Sequence, residues 1–250
     1  MMLMKRLIFF LVISSHSFSD QIIEKFQAAN ARYNDSDYIG AIQLYEQIVS
    51  EKWQSGYLYY NLGNSYFRAG MVGQSIWAYN RALKLRPRFD NIKYNLEIAN
   101  TKIKDRITLP PEFFLVDLYI QLKNYCTFFE WLFLCGLVVF LSAGFFMLSK
   151  VLILNSNVVR RLILILSFSA FVLHLIVFDI FLEDSKENHG IIIFDDVHAF
   201  SGPFQGESTR LFTLNEGTRV SVLQNQGSWV EIVLINGEKA WIPIEKIKVI

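Results

Sequence analysis

The side chains of this 250-residue chain best equipped for catalysis or metal ligation are four histidines, His16, His174, His189 and His198, and two cysteines, Cys126 and Cys135. Their spacing argues against both uses. The cysteines are nine positions apart in a segment that reads as helix, so they face opposite sides and lie about 13 Å apart along its axis. That is too far to bridge, and the spacing matches neither a CxxC redox pair nor a zinc quartet. An intermolecular disulfide through Cys126 stays open. His16 falls in an N-terminal export segment and His174 in an apolar run. Asp195, Asp196 and His198 are close in sequence, but among short strands they read as a solvated strand edge rather than a metal site. GxSxG, HExxH, a Cys–His pairing and an isolated carboxylate pair are all absent from the sequence. The expectation is therefore no catalytic residue, no cofactor, no metal and no enzyme.

What the chain does repeat is aromatic and amide side chains on helices. In GYLYYNLGNSYFRAGMVGQSIWAYNRALKLRP, from Gly56 to Pro87, Tyr59, Leu62, Gly63, Tyr66, Ser75, Tyr79, Ala82 and Pro87 fall at tetratricopeptide spacing. Gly63 and Ser75 let two antiparallel helices approach closely, Tyr59, Tyr66 and Tyr79 fill the seam, and Pro87 stops the second helix. Ala29, Ala41 and Tyr45 precede Gly63, Ser75 and Tyr79 by the 34-residue period, which predicts an earlier copy. A third, partial copy from Asp90 fades after Ile103 and reads as a closing helix with a polar outer face. The predicted repeats are 22–55 and 56–89, with the closing helix at 90–106. First helices of stacked repeats line a concave side, where equivalent positions form rows: Phe26, Tyr60 and Tyr94; Asn30, Asn64 and Ile98; Tyr33 and Phe67. Aromatics for side-chain pockets and amides for peptide backbone make these candidates for an extended-peptide groove, with Asn64 the strongest because a packing role suits it least.

These helices need a setting, and composition supplies it. Charged residues make up only 19% of the chain against 52% hydrophobic, and the excess is concentrated in a few runs. A net charge of +1 without a basic stripe gives no reason to expect nucleic acid as a partner. Lys5 and Arg6 precede LIFFLVI and then SSHSFSDQ, with Ser17 and Ser19 at signal-peptidase positions, so residues 1–19 read as a cleaved signal peptide. The run is too short to span a bilayer. Residues 128–149 and 162–182 are long enough, and read as two transmembrane helices after a linker, 107–127, that contains Pro110-Pro111. The connection 150–161 carries Lys150, Arg160 and Arg161 and no acid, whereas Glu183, Asp184 and Glu187 follow the second span. The basic loop therefore faces the cytoplasm, and both flanking parts face outward, toward the periplasm in a two-membrane cell. Glu130 and Asp179 lie near the outer span ends and His174 near the middle of the second, where a neutral imidazole bonding a neighbouring helix is the plainer role.

Beyond Gly190 the pattern changes to short runs broken by turns, with alternation in Arg219–Leu223 and Trp229–Leu234 and an Asn236-Gly237 turn. This predicts a five- or six-stranded barrel. Leu214, Glu216, Gly217, Val220, Val222, Trp229, Val230, Val233, Gly237, Trp241 and Ile242 together resemble the bacterial SH3-like domain over 190–250, with Ala240 where that family has glycine. Trp241, Phe200 and Phe204 are its surface candidates for proline or sugar, while Trp229 reads as packing.

The whole order is multidomain: signal peptide, α-helical tetratricopeptide repeat solenoid, two transmembrane helices and a small all-β SH3-like barrel. It is similar to the BatE family of the Bacteroides aerotolerance operon. That resemblance implies an inner-membrane interaction scaffold working beside von Willebrand factor A-type proteins, linked to oxidative-stress tolerance. A cell-wall-binding or wall-remodelling accessory is the alternative, with a wall component as ligand. A transporter would need more spans or a partner to complete a pathway.

Overall fold

The computed structural model describes residues 20–105, 113–152, 157–186 and 188–250. The predicted signal peptide, Pro110-Pro111 and the middle of the basic connection lie outside the described residues. The chain divides into two compact units, one assembled from 1–108 together with 189–250 and the other from 109–188.

Among the described residues of the first unit five helices precede the strands: α1 (20–34), α2 (Tyr38–Ser50), α3 (Gly56–Arg68), α4 (Val72–Leu85) and α5 (Asp90–Asn100). Local chemistry sets their ends. The Asp37 carboxylate accepts from Gly40 N at the start of α2, and the Ser55 hydroxyl accepts from Leu58 N at the start of α3. The 34-residue period is visible in the backbone. The turn between α1 and α2 holds Ser36 at φ 63°, and its counterpart between α3 and α4 holds Gly70 at φ 80°. Each is clasped by equivalent bonds, Ser36 N to Tyr33 O and Asp37 N to Arg32 O in one, Gly70 N to Phe67 O and Met71 N to Tyr66 O in the other. Tyr45, Tyr59, Tyr66 and Tyr79 are fully buried along the seam with Leu58, Leu62 and Ile76. A Cβ on Gly63 would come within 2.6 Å of Tyr79 Cε1, so glycine here is what lets α3 meet α4.

The same unit contains β1 (Asn188–Ile192), β2 (Val197–Phe200), β3 (Arg210–Leu214), β4 (Arg219–Gln226), β5 (Trp229–Val233), β6 (Lys239–Pro243) and β7 (Ile247–Val249). They form one antiparallel sheet in the order β3-β2-β6-β5-β4-β1-β7. Val230, Ile232 and Leu234 alternate inward along the run that begins in β5, as the sequence pattern requires. Seven strands in an open sheet replace the expected five- or six-stranded barrel. The reason lies at the β7 edge, where closure would need a strand: Trp77 Nε1 of α4 donates instead to Val249 O at 2.8 Å. The end of α5 is also less polar than a free cap. Ile103 and Ile76 lie within 3.0 Å of where a Cβ on Gly217 would stand, so sheet and helices share one apolar joint.

The second unit holds α6 (Phe114–Lys123), α7 (Phe128–Val151) and α8 (Asn157–Lys186). Both α7 and α8 are long and apolar enough to cross a membrane, and they pack on each other. Two boundaries differ from the sequence reading. The stretch 107–127 is not all linker, because α6 occupies part of it. The second apolar helix begins at Asn157, so Arg160 and Arg161 belong to its first turns.

Candidate functional site

A cavity of about 120 Å³ opens on the helical face, lined by Tyr33 from α1, Asn64, Phe67 and Arg68 from α3, Tyr79 from α4, and Asn95 and Ile98 from α5. Small-molecule sites are typically several hundred Å³. This one has room for a single side chain, the scale at which a groove reads an extended peptide.

Its polar floor is built from a motif that occurs twice. Asn64 Oδ1 accepts from Tyr79 Oη and from Asn95 Nδ2, both at 2.8 Å. One period earlier Asn30 Oδ1 accepts from Tyr45 Oη at 2.7 Å and from Asn61 Nδ2 at 2.9 Å. In each case an amide on a first helix is bonded by the tyrosine of its own second helix and by an asparagine of the next first helix. The bonds thus tie consecutive helical pairs together. Buried phenols need such partners, and burial keeps them neutral: it pushes Tyr45 up to about 12, against a smaller lowering by the Asn61 bond. Burial also raises Tyr79 and Tyr33, the latter despite the Arg68 charge nearby. Arg68 is the one charged side chain of the lining; its guanidinium lies 4.9 Å above the Tyr38 ring and donates to Tyr38 Oη at 2.6 Å.

The sequence-derived groove residues divide accordingly. Tyr33, Asn64 and Phe67 line the cavity. Asn30 braces the first copy, Phe26 stacks at 5.8 Å from Tyr45, and Tyr60 packs edge-on against Phe89. Tyr94 is exposed, outside the cavity lining. Asn61, Arg68, Tyr79 and Asn95 fall outside the rows that the repeat spacing assigns to the groove. The Asn61 to Asn95 interval, equal to the repeat period, was the available signal.

Of the sheet candidates, Phe204 is 54% exposed, whereas Phe200 and Trp241 are buried. Trp241 sits on β6 between β2 and β5, in register with Phe200 and Glu231, so sheet neighbours cover it. Trp229 stacks edge-on against Phe200 at 5.6 Å. Asp195 is engaged by Lys104 Nζ at 2.6 Å and by Glu216 N at 3.3 Å. Among the described residues no group of three His, Cys, Asp or Glu could hold a metal ion.

A second polar joint ties helices to sheet. Asp105 accepts from Asn215 N, Asn215 Nδ2 and Thr218 Oγ1, each at 2.7 Å, and Gly73 N donates to Glu216 at 2.8 Å. Lys248 lies over the rings of Trp77 and Tyr66, beside the Tyr66–Glu46 bond.

In the second unit Cys135 and His174, on different helices, come together: Sγ is 3.0 Å from Nδ1, which is 2.7 Å from Ala170 O. A carbonyl oxygen can only accept, so Nδ1 carries the hydrogen and donates. Thiol and imidazole thus lie side by side, a Cys–His pairing between helices that the sequence spacing does not show. Glu130 completes a capping box with Thr127 at the start of α7.

No protein-family model matches the sequence, and no curated protein matches it either.

Proposed function

We propose that this chain is a membrane-anchored recognition scaffold, with tetratricopeptide-type repeats and an SH3-like β domain joined as one extracytoplasmic head and α7 and α8 as its transmembrane hairpin. The observation that carries it is the side-chain-sized groove floored by the duplicated Asn–Tyr–Asn motif. Neutral amides and phenols suit peptide backbone, Phe67 and Ile98 suit an apolar side chain, and Arg68 favours a ligand with negative charge close by. The hairpin is supported by chain order: residues on both sides of α7 and α8 build one folded unit, which requires an even number of crossings between them. Basic residues at the α7–α8 connection favour the cytoplasm for that end. An inner-membrane site and von Willebrand factor A-type partners belong to the same proposal and rest on the resemblance to the BatE family alone.

The test is photo-crosslinking in intact membranes from a reactive residue at Ile98, compared with the same protein carrying Arg68→Ala and Phe67→Ala. Membrane proteins captured at Ile98 and lost at least several-fold in the double variant are expected. Glycan as the sole adduct would favour the wall-binding alternative, and capture indifferent to both substitutions would remove the groove from consideration.

A further inference from the structure

The helix α6 is exposed over most of its surface, Leu115 and Val116 included, and its other side chains sort into an apolar stripe, a polar flank and a side bonded to α8. Phe114, Leu118 and Leu122, continued by Tyr125 in the following turn, form an i, i+4, i+8, i+11 stripe, and they are 67%, 60%, 52% and 59% exposed. Asp117, Gln121 and Asn124 make an exposed polar flank. The third face is bound to α8: Tyr119 Oη donates to Asp179 Oδ2 at 2.7 Å, and Lys123 Nζ lies 3.2 Å from the same oxygen. Trp131 Nε1 of α7 further fixes the end of α6 by donating to Lys123 O at 3.0 Å.

We propose that α6 is a bilayer-surface helix, its Phe114–Leu118–Leu122–Tyr125 stripe embedded in the lipid interface of the leaflet that meets the start of α7. This rests on the reading of α7 and α8 as membrane spans. Ten residues of helix reach about 15 Å, half of what a span needs, so α6 lies on the membrane rather than through it. Its depth follows from Asp179, which is 17 positions after Leu162, where the apolar run of α8 begins past Arg160 and Arg161, about 26 Å along the helix and so near the far edge of a hydrocarbon core of about 30 Å. A carboxylate at that level meets headgroup water, and Lys123 and Tyr119 hold α6 in the same plane. Three residues after Tyr125, Phe128 and Phe129 open α7 and are exposed as well, so the stripe leads in sequence directly into the span and the occupant proposed for it is the solvent of the span itself. An apolar face with a polar flank is the pattern of helices that lie in the interface plane.

The experiment uses the full chain, with Cys126→Ser and Cys135→Ala, in vesicles of phosphatidylethanolamine and phosphatidylglycerol. A nitroxide is placed in turn at positions 118, 122, 121, 124 and 140, and its collisions with oxygen and with a water-soluble nickel chelate are measured. Positions 118 and 122 are expected to favour oxygen several-fold over 121 and 124, and position 140, within α7, to favour it most. Equal nickel access at 118 and 121 would put the stripe in water, and shielding of 118 and 122 from both reagents would put protein over it; either overturns the proposal. Nickel access at 140 would sink the spanning reading and the proposal with it. Asp179→Ala is expected to lower the oxygen preference at 118 without changing 140, and an unchanged preference would remove the anchoring role of Asp179.

Discussion

Asn64 illustrates how one side chain serves both shape and recognition. Its Oδ1 is saturated by Tyr79 and Asn95, and its Nδ2 donors have no protein acceptor among the described residues, so the amide supports the fold with one end and faces the groove with the other. Asn64→Ala leaves the buried Tyr79 hydroxyl without its acceptor and Asn95 with only the longer bond to Tyr60 Oη at 3.3 Å, a loss of about 1–3 kcal/mol. Asn30→Ala removes the equivalent acceptor one period earlier and is expected to lower the thermal midpoint by a similar amount. Midpoints unchanged in both variants would make these amides ligand contacts only. The aromatic seam and the close approach at Gly63 were legible in the sequence because buried positions leave a periodic trace. The bracing role of the asparagines was not: an amide at a helix position looks the same whether it bonds a peptide or a neighbouring helix, and only the paired Asn61 to Asn95 interval carried the difference.

At the scale of elements, the sheet is fastened to the helices by the segment from Asn215 to Thr218 closing on Asp105. Partial burial alone would raise the Asp105 pKa, but the bonds from Thr218 and Asn215, with the Lys104 charge, outweigh it and hold the carboxyl below the usual carboxylate range. A depressed native pKa stabilises the fold above the unfolded value, about 3.9, and that contribution is lost as pH falls through the native value. Asp105→Asn should therefore lower the thermal midpoint at pH 7, on the order of 1–2 kcal/mol of stability. The gap from wild type should shrink only below about pH 4. A gap independent of pH would mean that Asp105 acts by shape and not by charge. The strands were readable by their two-residue alternation and the two long helices by their unbroken apolar length. The open sheet and α6 were not. The first depends on Trp77 reaching Val249 across most of the chain, and the second on a ten-residue helix whose partner, Asp179, lies beyond the whole of α7.

At the scale of the molecule, the first unit is interrupted in sequence by the second: the described residues 20–105 and 189–250 fold together, with both long apolar helices between them. If those helices cross a membrane, the unit can assemble only when the crossings return the chain to its starting side. Removing residues 157–182 leaves one span, so the sheet would be delivered to the opposite side from α1–α5. Ile76, Ile103 and Trp77 would then lose the surface that covers them, and Asp105 its three donors. A reporter fused after Ile250 should change sides in this deletion, and α1–α5 should become protease-sensitive. Removing both helices, 128–182, should restore a protease-resistant unit with the reporter on the original side. A deletion of one helix that left reporter and protease resistance unchanged would show that α7 and α8 do not form a two-crossing hairpin.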